Sequence, residues 1–204
     1  MLYYILKYIV YLPFKLLFPL WKRGTKNLPR GGAVLVCNHF SALDIPVLGV
    51  NVRRKLHFVA KKEIFRTKIG SWFFRSMSAT PINRKNADMA DMKEVVQKLK
   101  RNKYIMLFPE GTRNKNLSTE NFESIKNGAA LFALLSGKPI VPMLLEKRPR
   151  LLRLNNLIIG KPLYFSDYGL KRADKASLAR AGDILKSAME ALIPGKSTTA
   201  TSVQ

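Results

Sequence analysis

The chain has one cysteine, two histidines and 13 acidic residues among its 204 residues. These low counts exclude some kinds of cross-link and metal site and constrain the binding partners. A single cysteine excludes an internal disulfide and a cysteine-based metal cluster, and it favours a reducing, cytoplasmic setting. Because 36 basic residues stand against 13 acidic ones, the formal net charge is +23, which calls for an anionic partner. Charge alone leaves nucleic acid, an anionic membrane face, and acidic substrates or carrier proteins open. The length predicts one domain rather than two.

The sequence also has no uninterrupted apolar run of about 20 residues, although residues 2–21 come close. Lysines and prolines interrupt this stretch, and no small-residue cleavage site follows it, so neither a spanning helix nor a signal peptide fits well. Its aromatic residues suit the headgroup layer of a membrane, and Lys22 and Arg23 add attraction to anionic lipid. We therefore expect residues 1–23 to form a membrane-interfacial helical segment. A helix packed on the domain is the alternative.

The rest of the chain alternates between strand and helix patterns, which indicates an α/β domain over residues 24–195. Turn-forming residues 24–32 separate it from the N-terminal segment, and the polar residues 196–204 are expected to form a disordered tail. The predicted strands lie at 33–37, 55–60, 104–108, 140–145, 157–160 and 163–165, with a short extended segment at 80–84. The predicted helical regions lie at about 64–77, 89–101, 124–136 and 174–193.

An imidazole and a carboxylate follow the first predicted core strand of this domain, Ala33–Cys37. The strand stops at Asn38-His39, and Asp44 follows five residues after the histidine. A turn between strand and helix can unite the two side chains at a strand end, where α/β proteins usually keep their chemistry. The alternatives are a structural histidine and an Asp44 that only caps a helix. Cys37 is expected to be a small buried apolar residue rather than a nucleophile, and His57 to be structural.

Four sequence blocks together resemble those of the lysophosphatidic acid acyltransferase family of glycerolipid acyltransferases. They agree in order, spacing and placement at strand ends, and they cover about residues 30–165. A lone His-x4-Asp would be a weak signal, whereas four blocks in one short chain are specific. The blocks are Asn38-His39-Phe40-Ser41-Ala42-Leu43-Asp44, Ile82-Asn83-Arg84, Phe108-Pro109-Glu110-Gly111-Thr112-Arg113 and Ile140-Val141-Pro142.

The resemblance implies a single α/β domain with a central mixed, mostly parallel sheet flanked by helices. It also implies acyl transfer from acyl-CoA or acyl carrier protein to the 2-hydroxyl of 1-acylglycerol 3-phosphate. The product would be phosphatidic acid for phospholipid biosynthesis, made on the cytoplasmic face of the cell membrane. In that reaction His39 is the general base and Asp44 orients it, with no metal and no further cofactor.

The acceptor carries a phosphate, which requires fixed positive charge and bidentate donors. The expected phosphate-binding residues are Lys61, Arg84, Glu110, Gly111, Thr112 and Arg113. Gly111 would let backbone N–H groups approach the phosphate, and Glu110 would orient the arginines or the glycerol. Each basic residue has the alternative of being solvated surface charge, and Lys61 is the least specific of them.

Three other functions remain open at this point. An enzyme of the same fold could use glycerol 3-phosphate, another lysophospholipid or a lyso-aminolipid as the acceptor. A basic nucleic-acid-binding protein is disfavoured, because the aromatic residues concentrate in the N-terminal segment and no nucleic-acid-binding signature is present. A non-catalytic membrane scaffold is the third. The expected partners are therefore an anionic membrane surface, lysophosphatidic acid, and acyl-CoA or acyl carrier protein, without nucleic acid.

Overall fold

The computed structural model describes residues 9, 13–76, 78–82, 89–109 and 127–195, which build a seven-stranded sheet with helices against it. The strands lie in the order β1-β7-β6-β2-β5-β3-β4, and every neighbouring pair is parallel except β6 with β7. The predicted mixed, mostly parallel α/β sheet is thus confirmed. The strands are β1 Leu20–Arg23, β2 Ala33–Cys37, β3 Leu56–Lys61, β4 Thr80–Ile82, β5 Tyr104–Leu107, β6 Ile140–Leu145 and β7 Asn155–Ile159. The helices are α1 Asp44–Asn51, α2 Lys68–Ser76, α3 Met89–Lys100, α4 Gly128–Ser136 and α5 Lys175–Glu190.

Strand β2 lies in the middle of the sheet, and all five of its residues are fully buried. Val34 and Val36 pack into the core on the face covered by α3, α4 and α5. Leu35 and Cys37 pack into the core on the other face, together with residues of α1. A strand covered on both faces needs an unbroken apolar run rather than an alternating one, which is what this sequence supplies. The residues that follow Cys37 are therefore anchored to the central, fully buried strand of the sheet.

The carboxyl ends of β2, β3, β4, β5 and β6 all lie at one edge of the sheet because these strands are mutually parallel. We call this the carboxyl edge, and the opposite one the amino edge. Strand β7 runs antiparallel to β6, so the connection 146–154 leaves and re-enters the sheet at the carboxyl edge. Strand β1 is parallel to β7, so the chain enters β1 from the carboxyl edge as well.

Strand β1 departs from the sequence-based expectation. Its four residues pair with β7 from Leu20↔Asn155 to Arg23↔Ile158, so the sheet begins before the predicted domain boundary at residue 24. Gly24 ends the strand with a φ of 78°, and a Cβ at this position would lie 2.1 Å from the Ile159 carbonyl oxygen. Before β1, residues 13–17 are helical and Phe18 is buried. Residues 1–8 and 10–12 of the predicted interfacial segment, and the predicted tail 196–204, lie outside the described residues.

No helix among the described residues combines the length and the hydropathy needed to cross a membrane.

The predicted strand at 163–165 is the other clear difference. Only Leu163 pairs, as a single bridge to Ile140, and Phe165–Tyr168 then form a 3-10 helix that ends at Gly169 with a φ of 74°. Phe165 turns into the core, so burial of this ring favours the turn over a longer strand. Of the predicted helix 124–136, residues 128–136 are helical and 124–126 lie outside the described residues.

Candidate active site

The turn between β2 and α1 folds around the carboxylate of Asp44. Asp44 Oδ2 accepts hydrogen bonds from the backbone N–H groups of Phe40 at 2.7 Å and Ser41 at 2.8 Å. The Ser41 hydroxyl donates to Oδ1 at 3.2 Å, and Asp44 is fully buried. Helix α1 begins at Asp44 itself, and the residue before it makes no side-chain cap. Asp44 therefore holds the turn together, and its charge also lies at the favourable end of the helix dipole.

The same turn brings His39 onto Asp44. His39 Nδ1 lies 2.8 Å from Asp44 Oδ2, and 14% of the histidine side chain is exposed. An ionised carboxylate only accepts hydrogen bonds, and three protein donors already point at this one. Nδ1 therefore carries the proton, and the lone pair of the imidazole is on Nε2. Among the described residues, none forms a hydrogen bond with Nε2, so this nitrogen is available to a substrate hydroxyl.

Two residues that the sequence reasoning left without a role complete this arrangement. Asn38 Nδ2 donates to the Leu145 carbonyl at 2.9 Å, and the Leu145 N–H donates to Asn38 Oδ1 at 2.8 Å, which ties the turn to the end of β6. The Phe108 ring, just after β5, stacks on the His39 imidazole with centroids 4.0 Å apart and planes 19° apart. Both residues directly follow strands at the carboxyl edge. For Asn38, a polar residue after an apolar run, the sequence carried a signal, whereas the sequence places Phe108 within the predicted strand 104–108.

Lys61 is the only predicted phosphate-binding residue among the described residues. It is the last residue of β3, it is exposed, and it pairs with Ile82 at the carboxyl edge. Strand β3 lies two positions from β2, which places its end about 10 Å from the end of β2. The other expected residues of this set lie outside the described residues: Arg84, Glu110, Gly111, Thr112 and Arg113. The strands that precede them in the sequence, β4 and β5, end at this same edge.

The chain matches a protein-family model described as Acyltransferase over residues 21–146. A 1-acyl-sn-glycerol-3-phosphate acyltransferase of Bacillus subtilis (strain 168) is 33% identical over 155 residues, which cover 70% of this chain and 73% of that protein. The chain belongs to the acyltransferase family. The predicted resemblance is thus confirmed at the level of the family, and the four blocks singled out in the sequence begin within the matched residues.

Further relatives and a solved structure extend this result. The chloroplastic 1-acyl-sn-glycerol-3-phosphate acyltransferase BAT2 of Brassica napus is 30% identical over 167 residues, covering 74% of this chain and 47% of that protein. A lyso-ornithine lipid O-acyltransferase of Pseudomonas aeruginosa is 28% identical over 123 residues, covering 60% of this chain and 47% of that protein. The chain thus spans about half the length of these two relatives. A crystal structure of the 1-acyl-sn-glycerophosphate acyltransferase of Thermotoga maritima shares the fold, with a TM-score of 0.65, 21% identity, and coverage of 93% of this chain and 80% of that one.

Cys37 and His57, which the sequence predicts to be structural, both have structural surroundings in the described part of this acyltransferase. Cys37 is fully buried at the end of β2, and its Sγ lies 3.5 Å from Asn38 Oδ1. His57 is half-buried in β3 opposite Ile105, and its Nδ1 has no hydrogen-bond partner among the described residues. Burial, together with Lys98 and other nearby lysines, lowers the pKa of His57 to about 4. His57 is therefore neutral at physiological pH. In the described part of the chain, no three His, Cys, Asp or Glu side chains form a group that could hold a metal ion.

Proposed function

We propose that this acyltransferase moves a fatty acyl group from acyl-CoA or acyl carrier protein to the 2-hydroxyl of 1-acylglycerol 3-phosphate, giving phosphatidic acid. The observation that carries the proposal is the His39–Asp44 pair, with Nδ1 and Oδ2 2.8 Å apart at the carboxyl edge of the sheet. The names of the relatives, among them the Bacillus subtilis enzyme, support this acceptor.

In the proposed reaction the substrate hydroxyl donates its proton to His39 Nε2 while its oxygen attacks the thioester carbonyl. The carbon–sulfur bond then breaks, and the imidazolium returns the proton to the leaving thiolate, so that an ester and a free thiol are formed. Asp44 stabilises the transient imidazolium through Nδ1, and no covalent acyl-enzyme is needed. The Phe108 ring and the Asp44 carboxylate restrain the imidazole from two directions, which supports a base with a fixed orientation.

We further propose that the acceptor phosphate binds to the basic groups that follow the neighbouring strands. Lys61, Arg84 and Arg113 would supply the positive charge, and Gly111 and Thr112 would supply backbone and hydroxyl donors. Glu110 would orient the arginines or the glycerol. The exposed position of Lys61 at the end of β3 supports this assignment.

The proposed location is the cytoplasmic face of the cell membrane, with the protein bound at the surface. The lysophospholipid acceptor resides in the bilayer, and the net charge of +23 suits an anionic leaflet. The reaction as proposed requires neither a metal ion nor a cofactor beyond the acyl donor.

The test is acyl transfer by the purified protein, with a labelled acyl thioester and lysophosphatidic acid, followed by identification of the product. His39→Gln serves as the matched control, because glutamine can still donate to Asp44 but cannot act as the base. We expect phosphatidic acid from the wild type, and a rate lower by between about 10² and 10⁴ from the variant. Equal rates for the two proteins would refute the proposed role of His39.

A lyso-aminolipid acceptor is the second candidate, because the Pseudomonas aeruginosa relative is named for lyso-ornithine lipid. Lysophosphatidic acid carries a phosphate group, and the lyso-aminolipid does not. We expect Lys61→Ala and Arg113→Ala to raise KM for lysophosphatidic acid and to leave KM for an uncharged 1-monoacylglycerol unchanged. Transfer to lyso-ornithine lipid at a higher kcat/KM than to lysophosphatidic acid would favour the second candidate.

A further inference from the structure

The connection between β6 and β7 carries an exposed group of leucines. Within residues 148–154, which we call the leucine loop, Leu151, Leu152 and Leu154 are 55%, 71% and 66% exposed. Burial of a leucine side chain is favourable, so three exposed leucines on one short loop form an apolar surface that can bind a partner. Single exposed leucines are ordinary, whereas a group of them marks a site of interaction with another protein or with a membrane.

The loop is held in a defined shape. The Asn155 side chain accepts from the Arg150 N–H at 2.9 Å and donates to the Arg153 carbonyl at 2.9 Å, which closes the loop on itself. Asn155 is buried, and Pro149 within the loop is buried as well. The leucines are therefore presented by a braced loop.

A second exposed apolar group lies directly beside this loop. The Leu152 N–H donates to the Leu17 carbonyl at 2.6 Å, and the Asn155 N–H donates to the Pro19 carbonyl at 2.9 Å. In the N-terminal stretch so attached, Leu16 is 67% exposed and Trp21 is 61% exposed, while Phe18 is buried and fixes the stretch to the domain. Two segments distant in the sequence thus lie side by side, and we call their exposed apolar residues, Leu16, Trp21, Leu151, Leu152 and Leu154, the apolar patch.

The charges around the patch select its partner. Arg148 and Arg150 directly precede the leucines, Arg153 lies between Leu152 and Leu154, and all three are exposed. Neither residues 13–23 nor residues 148–154 contain an acidic residue. Cations next to leucine and tryptophan match an anionic lipid surface, to which each basic side chain adds electrostatic attraction. A second copy of the chain would bring the same positive charges face to face, which disfavours a dimer at this patch.

The patch also lies at the edge of the sheet that carries His39. The leucine loop joins the end of β6 to β7, and β6 lies next to β2. Strand spacing therefore puts the ends of β6 and β7, which the loop joins, about 5 and 10 Å from the end of β2, which His39 and Asp44 follow.

The geometry points to the leucine loop as a second membrane contact, which inserts into an anionic bilayer beside the N-terminal stretch and sets the carboxyl edge against the lipid. Two separate contacts with the bilayer fix the orientation of the domain relative to the membrane, whereas a single contact leaves the domain free to rotate. This inference rests on the proposed function only in that both place the chain at a membrane.

The test measures binding to vesicles of phosphatidylcholine, with and without phosphatidylglycerol, by co-sedimentation. We expect Leu151→Ser/Leu152→Ser/Leu154→Ser to bind the anionic vesicles on the order of tenfold or more weakly than the wild type. Arg150→Ser/Arg153→Ser should weaken binding about fivefold per arginine, and only for the anionic vesicles. The matched controls are Leu135→Ser and Lys171→Ser/Arg172→Ser, exposed residues away from the patch that should bind as the wild type does.

A label at the loop reports insertion directly. Because the native Cys37 is fully buried, an environment-sensitive dye on Leu152→Cys reads the loop alone. We expect its emission to shift to the blue with anionic vesicles, and the same dye on Leu135→Cys to stay unchanged. An unshifted emission at position 152, or leucine-loop variants that bind as tightly as the wild type, would overturn the inference.

Two further results would also overturn it: loss of a dimer in the leucine variant by analytical ultracentrifugation, and loss of acyl carrier protein binding with vesicle binding intact. Unfolding midpoints of all variants control for the fold. Acyl transfer to a detergent-dispersed acceptor separates this inference from the proposed function. Absence of transfer by the wild type would refute the function and leave the vesicle result standing.

Discussion

The amino and carboxyl edges of the sheet differ in whether their functional groups have partners within the protein. At the amino edge the Arg54 guanidinium lies 4.1 Å from the centre of the Tyr104 ring and closes the strand entrances by donating to backbone carbonyls. Its acceptors are the carbonyls of Pro29, Arg30, Gly31 and Asn102. At the carboxyl edge, His39 Nε2 has no hydrogen-bond partner among the described residues, and the leucines of the leucine loop are exposed. The described side chains of the amino edge thus serve stability, whereas the carboxyl edge includes the groups to which we assign binding and chemistry.

The largest expected effect that separates the two edges is that of His39→Gln. The rate of acyl transfer should fall by between about 10² and 10⁴, because the base is lost while the hydrogen bond to Asp44 can persist. The free energy of unfolding should change little, since the residue is partly exposed. Chemical denaturation beside the activity assay checks both. If the activity of the variant fell only in proportion to its folded fraction, the proposed role of His39 in the reaction would be contradicted.

Asp44→Ala should affect both activity and stability, because Asp44 orients His39 and also holds the turn. The Phe40 and Ser41 N–H groups would lose their acceptor within a buried turn. We expect the free energy of unfolding to fall by about 2–4 kcal/mol, and kcat to fall strongly even in the fully folded protein. Urea unfolding curves give the first quantity, and kcat measured well below the unfolding midpoint gives the second. Unchanged stability would contradict the role of Asp44 in the turn.

Arg54→Ala is the matched change at the amino edge. It removes charge-assisted hydrogen bonds to several carbonyls, so the free energy of unfolding should fall by about 2–3 kcal/mol. The kcat of the folded protein should stay close to that of the wild type, since the guanidinium lies at the other end of the strands. Unfolding curves and steady-state kinetics at a low temperature test this pair of outcomes. A large loss of kcat with normal stability would show that the two edges are coupled.

The smallest expected effect concerns His57. Its pKa of about 4 in the folded protein lies below the ordinary value of 6.5, so the unfolded chain binds more protons between these two values. Stability should therefore fall as the pH drops from 6.5 towards 4, by about 1 kcal/mol from this residue. His57→Leu should remove that part of the dependence. The measurement is the difference in unfolding free energy between wild type and variant, at neutral pH and at about pH 5. An equal pH dependence of the two proteins would contradict it.

Local sequence signals were sufficient to predict the centre of the fold and the position of the His39–Asp44 pair. The apolar run of β2 specifies a strand buried on both faces, and the His-x4-Asp spacing fits the turn that closes on Asp44. The placement of Phe108 was not predictable in the same way. An aromatic residue after a strand reads as core, and its stacking on His39 depends on which strand lies beside β2.

Strand β1 escaped prediction for a related reason. The strand Leu20–Arg23 is short, partly charged and mostly exposed, so its sequence fits a membrane-surface segment as well as an edge strand. What makes these residues a strand is pairing with β7, which no local pattern encodes. The predicted phosphate-binding residues Arg84 and 110–113 stay predictions, because they lie outside the described residues.

The pairing of the first strand with the last also sets an order of assembly. The hydrogen bond from Asn27 Nδ2 to the Ile159 carbonyl joins residues 132 positions apart, and β1 has no partner until β7 has been made. Ribosomes add about 5–20 residues per second, so the start of the chain waits on the order of ten seconds. During that interval the aromatic N-terminal residues are free to reach a lipid surface. The predicted attachment of the preceding segment to a membrane would therefore come before the closure of the sheet.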